Sequence, residues 1–230
     1  LSFLHRSWGP LEPYDNSFPE ILRRNKTYTH LITDHYHYFE DGGATYHNRF
    51  NSWDFIRGQE SDPWKAMVQP PLEKFKEKFH NPQLNLENRE KGHYRHAVNC
   101  EFIKEEKDFP SVKCFESGLE FLEINKDVDN WFLQLETFDP HEPFFAPERF
   151  REKLKTNYRG PRLDWPQYDK VKETDDEVAE LKANYIALVG LCDYLLGTIL
   201  DYFDEHKLWD DTALILTTDH GFMLGEHDWW

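Results

Sequence analysis

Three apolar, β-prone runs constrain this chain most: Tyr28–Thr33 (YTHLIT), Asn130–Thr137 (NWFLQLET) and Thr212–Asp219 (TALILTTD). Continuous apolar runs suit strands covered on both faces, and such strands belong to parallel sheets. Segments with helical spacing lie around them. Phe18, Ile21 and Leu22 share one helical face ahead of the first run. Ser117–Asp127 carries Leu119, Phe121, Leu122 and Ile124 ahead of the second. The longest predicted helix presents Leu181, Tyr185, Leu188, Cys192, Leu195, Ile199 and Phe203 at three- and four-residue steps. Thr174 or Asp175 caps it, acids fill its first turn, and EHKLWDD ends it. Leu72, Phe75 and Phe79 mark a shorter amphipathic helix packed on the body. The pattern predicts an α/β fold, a mostly parallel sheet flanked by helices on both faces, with all three runs as buried strands. His37–Trp64 reads as one long functional loop. Residues 65–107 are charged, with breaks at Pro70-Pro71 and Asn81-Pro82.

In open α/β sheets, ligands bind beyond the carboxyl ends of the strands. The first run ends in Asp34-His35-Tyr36-His37, the second near Asp139-Pro140-His141, and the third in Asp219-His220-Gly221. Parallel strands would bring these ends to one edge, each delivering an acid and a histidine. Carboxylate oxygen and imidazole nitrogen both ligate divalent ions, so the pattern points to metal-assisted transfer. Neighbouring side chains on a strand face opposite ways, so Asp219 and His220 converge on an ion only where the backbone turns. Gly221 is the residue expected to permit that turn. Plainer readings also stand: Asp219 as a helix cap beside a surface histidine, and His141 as a loop histidine in a proline turn. His35 and His37, two apart on an extended segment, read as a ligand pair or as packing among Tyr36, Tyr38 and Phe39. Glu226-His227 falls near the site with no role assigned.

Charge excludes some partners. Lys and Arg number 27 against 43 Asp and Glu, a net charge of -16 at pH 7. Such a chain repels nucleic acid and anionic membranes, and no basic stripe offsets this. An anionic substrate would need a local positive field from a metal, histidines or a few Lys and Arg. The three cysteines, Cys100, Cys114 and Cys192, are odd in number and widely spaced. They predict buried thiols and neither a disulfide framework nor a structural zinc site. No run of about 18 apolar residues occurs, so no membrane span is expected. GxSxG, P-loop, HExxH and GxGxxG motifs are absent from the sequence. Asn25-Lys26-Thr27 matches a glycosylation acceptor, a pattern common by chance.

The stretch TALILTTDHGFMLGEHDWW (Thr212–Trp230) resembles the sulfatase segment in which a strand leads into T-S-D-H-G and then L-G-E-H. DNWFLQLETFDPHEPFFAPERF resembles the sulfatase strand that ends in a D-P-H-x-P-F loop. FPEILRRNKTYTHLITDHYH is similar to the segment that precedes another active-site strand. The matches run in order over about 200 residues, so the chain is identified by resemblance as a member of the alkaline phosphatase-like sulfatase superfamily. The resemblance implies hydrolysis of a small-molecule or carbohydrate sulfate ester. It implies a divalent ion, calcium first, with magnesium, manganese or zinc as alternatives. Asp219 and His220 match the family's metal pair. Many sulfatases carry Asn where His220 stands, whereas phosphonate and phosphodiester hydrolases of the superfamily often carry His. His141 matches the histidine at the sulfate or the leaving-group oxygen.

Two departures matter. A Gly-Lys-Trp-His segment common after the first strand is replaced by Thr33-Asp34-His35-Tyr36-His37, which leaves His35 or His37 to contact the sulfate. The family nucleophile is a formylglycine made from Cys or Ser in C/S-x-P-S/A-R, and no cysteine here has that context. That segment and an Asp-Asp metal pair are expected before Leu1, and a second lysine beyond Trp230. Residues 1–230 are therefore expected to be a partial catalytic domain, inactive by itself. Family habit implies a periplasmic or secreted protein, with a cytoplasmic one open. Three functions follow: a sulfatase, a phosphonate monoester or phosphodiester hydrolase, or a non-catalytic binding domain on the same fold.

Overall fold

The computed structural model describes residues 10–41, 43, 45–80 and 93–230. The chain divides into two compact units, Leu1–Gln59 with Pro110–Phe138, and Glu60–Phe109 with Asp139–Trp230.

The first unit holds α1 (Phe18–Arg24), β1 (Tyr28–Thr33), β2 (Ser52–Phe55), α4 (Pro110–Asn125) and β3 (Trp131–Glu136). The strands form a parallel sheet in the order β2-β1-β3. Register pairs His30 with Ser52 and Leu133, and Thr33 with Phe55 and Glu136. The α/β architecture read from the sequence is therefore present, and its helices lie on both faces. On one face α4 stacks Phe121 over His30 at 5.3 Å and sets Gly118 against Leu135. A Cβ on Gly118 would sit 2.3 Å from Leu135 Cδ1, so the Leu135 side chain fills the space that glycine leaves. On the other face α1 places Phe18 edge-on to Phe132 at 5.1 Å.

Three expectations are corrected here. The strand covered on both faces is β1, whose Thr29, Leu31, Ile32 and Thr33 are buried. β3 is half-buried along its whole length because it is an edge strand. The stretch expected to be one long loop contains β2 and two 3₁₀ turns, Tyr36–Phe39 and His47–Arg49. Thr212–Asp219 forms no strand and is largely exposed, with Ile215 84% and Leu216 70% accessible. β-propensity makes a strand only where a neighbour offers a backbone ladder, and none does among the described residues.

The second unit holds α2 (Leu72–Lys78), α3 (Tyr94–Cys100), α5 (Glu148–Arg151) and α6 (Asp175–His206). Phe75 and Phe79 are fully buried with Ala97, Val98 and Cys100, as the spacing in α2 predicts. Asn81-Pro82 lies outside the described residues. Thr174 caps α6 in a reciprocal box with Glu177, and Lys207 ends it in the left-handed region at φ 58°. Leu181, Leu188, Leu195, Ile199 and Phe203 are buried along α6, joined by Leu191, whereas Tyr185 and Cys192 are half-buried. α6 is an exception to the expectation that nothing here is apolar enough to span a membrane. Its best 18-residue window has a mean hydropathy of 1.6, sufficient by length and composition. The buried stripe facing its own unit is what a core helix presents. Cys100 and Cys114 are buried, Cys192 is half-buried, and no disulfide joins them.

Candidate functional site

In the first unit, β1 delivers its acid at a buried position. Asp34 is fully inaccessible and accepts the Phe138 backbone N–H at 2.7 Å, tying the ends of β1 and β3. The chain then coils into the 3₁₀ turn Tyr36–Phe39 instead of running extended, so the expected period-two face is lost. The turn still leaves the His35 and His37 rings 5.3 Å apart. His35 packs against Tyr38 and Phe138 at 4.4 and 5.1 Å, with Nδ1 3.3 Å from Glu136 Oε1. His37 Nδ1 meets Glu40 Oε2 at 2.8 Å. The two rings pack among aromatics, and each meets a carboxylate. Burial alone would raise the Glu136 carboxyl, but His35 and Tyr38 outweigh it and hold it below the usual range.

In the second unit, the loop after β3 runs Asp139-Pro140-His141-Glu142-Pro143-Phe144, with cis bonds before both prolines. His141 Nδ1 lies 2.9 Å from the Glu142 backbone oxygen. A carbonyl only accepts, so Nδ1 carries a hydrogen. The Tyr168 hydroxyl stands 3.2 Å from Nε2 and also bonds the Glu142 carboxyl. Phe222 packs edge-on to His141 at 5.6 Å and also meets Phe144, Tyr185 and His220. His141 and His220 therefore contact the same aromatic ring.

Asp219 and His220 are not at the tip of a buried strand, because both side chains are exposed. No helix begins at Asp219, so the cap reading fails as well. His220 N–H donates to Asp219 Oδ1 at 2.8 Å, and Nε2 stands 3.6 Å from Oδ2. Gly221 does not supply the turn expected of it, since its φ is ordinary and a Cβ there would meet nothing within 4 Å. The left-handed glycine of this loop is Gly225, at φ 84°. Glu226–Asp228 forms a 3₁₀ turn.

The donor chemistry of Asp219 and His220 fits part of a divalent-ion site. One carboxylate oxygen and one imidazole nitrogen lie close enough to share an ion, but ions of this kind take about four to eight ligands. Among the described residues no group of three or more His, Cys, Asp or Glu side chains is gathered for a metal. A cavity of about 530 Å³ in this unit is lined by Phe144, Arg151, Tyr158, Arg162 and Glu180, among others, and by none of the candidate residues.

Sequence reasoning missed four contributors: Glu136, Glu142, Tyr168 and Phe222. Glu136, Glu142 and Phe222 lay inside quoted motifs, Glu142 next to His141 and Phe222 two residues after His220, and the acid beside a histidine was a usable signal. Tyr168, 27 residues from His141, had none.

A family model described as Sulfatase matches residues 3–229. A multifunctional alkaline phosphatase superfamily protein, PehA, from Trinickia caryophylli is 28% identical over 150 residues, 53% of this chain and 29% of that protein. A choline-sulfatase from Rhizobium meliloti is 22% identical over 56% of this chain and 29% of its own length. The iduronate 2-sulfatase of Homo sapiens is 25% identical over 53% of this chain and 27% of its own. The chain thus spans well under half the length of these relatives.

Proposed function

Because the chain belongs to the sulfatase family, we propose that it serves a metal-dependent sulfuric ester hydrolase acting on a small-molecule or carbohydrate sulfate ester. The observation that carries this reading is the pair of imidazoles, His141 and His220, on the single Phe222 ring of one compact unit. His141 acts at the leaving-group oxygen. As an imidazolium it passes its Nε2 proton to that oxygen while the S–O bond breaks, so the alcohol departs neutral. Asp219 and His220 hold a divalent ion, calcium first among candidates, with magnesium, manganese or zinc as alternatives. When bound, such an ion offsets the charge on a sulfate oxygen. The formylglycine nucleophile belongs to a segment other than this chain's three cysteines.

A second reading, a phosphonate monoester or phosphodiester hydrolase, is favoured by the imidazole at position 220. The test uses the full-length protein on aryl sulfate and aryl phosphonate esters side by side, before and after chelation. The first reading expects sulfate turnover that chelation removes and a divalent ion restores. His141→Ala should lower kcat by roughly 10²–10⁴. Preferential phosphonate cleavage would install the second reading. A protein that binds no ion and cleaves neither ester is a binding domain.

A further inference from the structure

We infer that Glu142 is the positioning residue and counter-charge for His141, and that Tyr168 keeps the place of the ester oxygen at Nε2; this rests on the hydrolase reading above.

The geometry around Glu142 is costly for a merely structural side chain. It is 2% exposed, in a loop flanked by Phe144, itself 2% exposed. Its Oε2 lies 3.2 Å from His141 Nδ1 yet makes no aligned hydrogen bond, because Nδ1 already donates to the Glu142 carbonyl at 2.9 Å. A buried carboxylate oxygen without a hydrogen bond costs stability, and its best compensation is a cation at that distance. Protonated His141 is that cation. The charged and titratable groups facing Glu142 are His141, Tyr168 and Glu60. Burial raises the carboxyl above its usual range, while His141 and Tyr168 oppose that and Glu60 adds to it. The carboxyl therefore accepts its charge more readily when His141 carries a proton.

The other ring nitrogen completes the argument. Nδ1 is fixed as the donor, so Nε2 is the atom that carries and releases the catalytic proton. The Tyr168 hydroxyl stands 3.2 Å from it, on a side chain that is largely exposed. A hydroxyl at Nε2 occupies the position that a leaving ester oxygen takes up. In the reactive cycle imidazolium Nε2–H goes to the alkoxide oxygen as S–O breaks. The ring is left neutral with its hydrogen on Nδ1, and water restores the Nε2 proton.

Leaving-group dependence separates this role from a structural one. Full-length wild-type protein and Glu142→Gln are compared on nitrocatechol sulfate, whose leaving group needs little protonation, and on an alkyl sulfate, whose leaving group needs it. We expect Glu142→Gln to lower kcat on the alkyl ester at least ten-fold, on the nitrocatechol ester less than three-fold, with KM unchanged on both. Glu142→Asp should recover part of the loss. Equal losses on both esters, or none, would overturn the proposal. An activity-independent measurement covers a protein that turns over neither ester: the ¹³C carboxyl signal of Glu142 should titrate at higher pH in His141→Ala than in wild type. No movement would reject the pair, whereas movement without turnover would sink the hydrolase reading and leave the coupling standing.

Discussion

His96 is the residue whose charge state is most firmly set by its surroundings. It is 4% exposed, with Nε2 3.1 Å from Asp164 Oδ2 and Cys100 Sγ 3.6 Å away. The Arg162 guanidinium donates to the same sulfur at 3.4 Å and lies over the Phe145 ring. Burial by itself would push the imidazole down, but Cys100 and Asp164 outweigh it and raise it to about 10. Its folded value thus exceeds the ordinary 6.5. The stabilisation is complete below about pH 6.5 and is lost as pH rises through about 10. Denaturant titrations across that window should show stability falling with pH. Asp164→Asn should flatten that slope and cost about 3–5 kcal/mol near neutrality, the penalty for leaving a buried charge without its partner. None of this was legible beforehand, since His96 and Asp164 are 68 residues apart and neither lies in a motif.

At the scale of elements, legibility followed how local the cause is. β1 and α6 carry their own signal: an apolar run in one, and a stripe at helical spacing with a cap in the other. β3 was found as a strand but misread as fully covered, because edge position depends on what the other strands do. β2 is four residues with a half-exposed pattern, and only its ladder with β1 makes it a strand. The candidate histidines were singled out because they follow strand ends or sit in motifs. Glu142 and Tyr168 escaped because their roles arise only when the loop and Tyr168 meet at His141. The cap of α6 gives a prediction of its own. Thr174 Oγ1 receives the Glu177 N–H, and Glu177 returns a bond to the Thr174 N–H at 2.8 Å. Thr174→Ala should destabilise the protein by about 1 kcal/mol, read as a lower denaturation midpoint with unchanged denaturant slope. A loss near zero would show that tertiary packing by itself fixes the start of α6.

For the whole molecule, the segment that was expected to be a strand has a different consequence. Thr212–Thr218 has no charge, no proline and strong β-propensity, and its Ile215 and Leu216 lie open to solvent. Segments of this kind nucleate fibres when copies stack in register. What holds copies of this chain apart at neutral pH is long-range repulsion from a net charge of -16. That protection is colloidal, so it weakens when salt screens the charge or acid protonates the carboxylates. We expect thioflavin-T-positive assemblies of this chain to appear at high ionic strength or mildly acidic pH, and Leu216→Lys to delay them several-fold. Unchanged assembly in that variant would assign the nucleus to another segment. A delay would mean that the shelf life of this acidic chain is set by a balance between one greasy heptapeptide and the charge of everything around it.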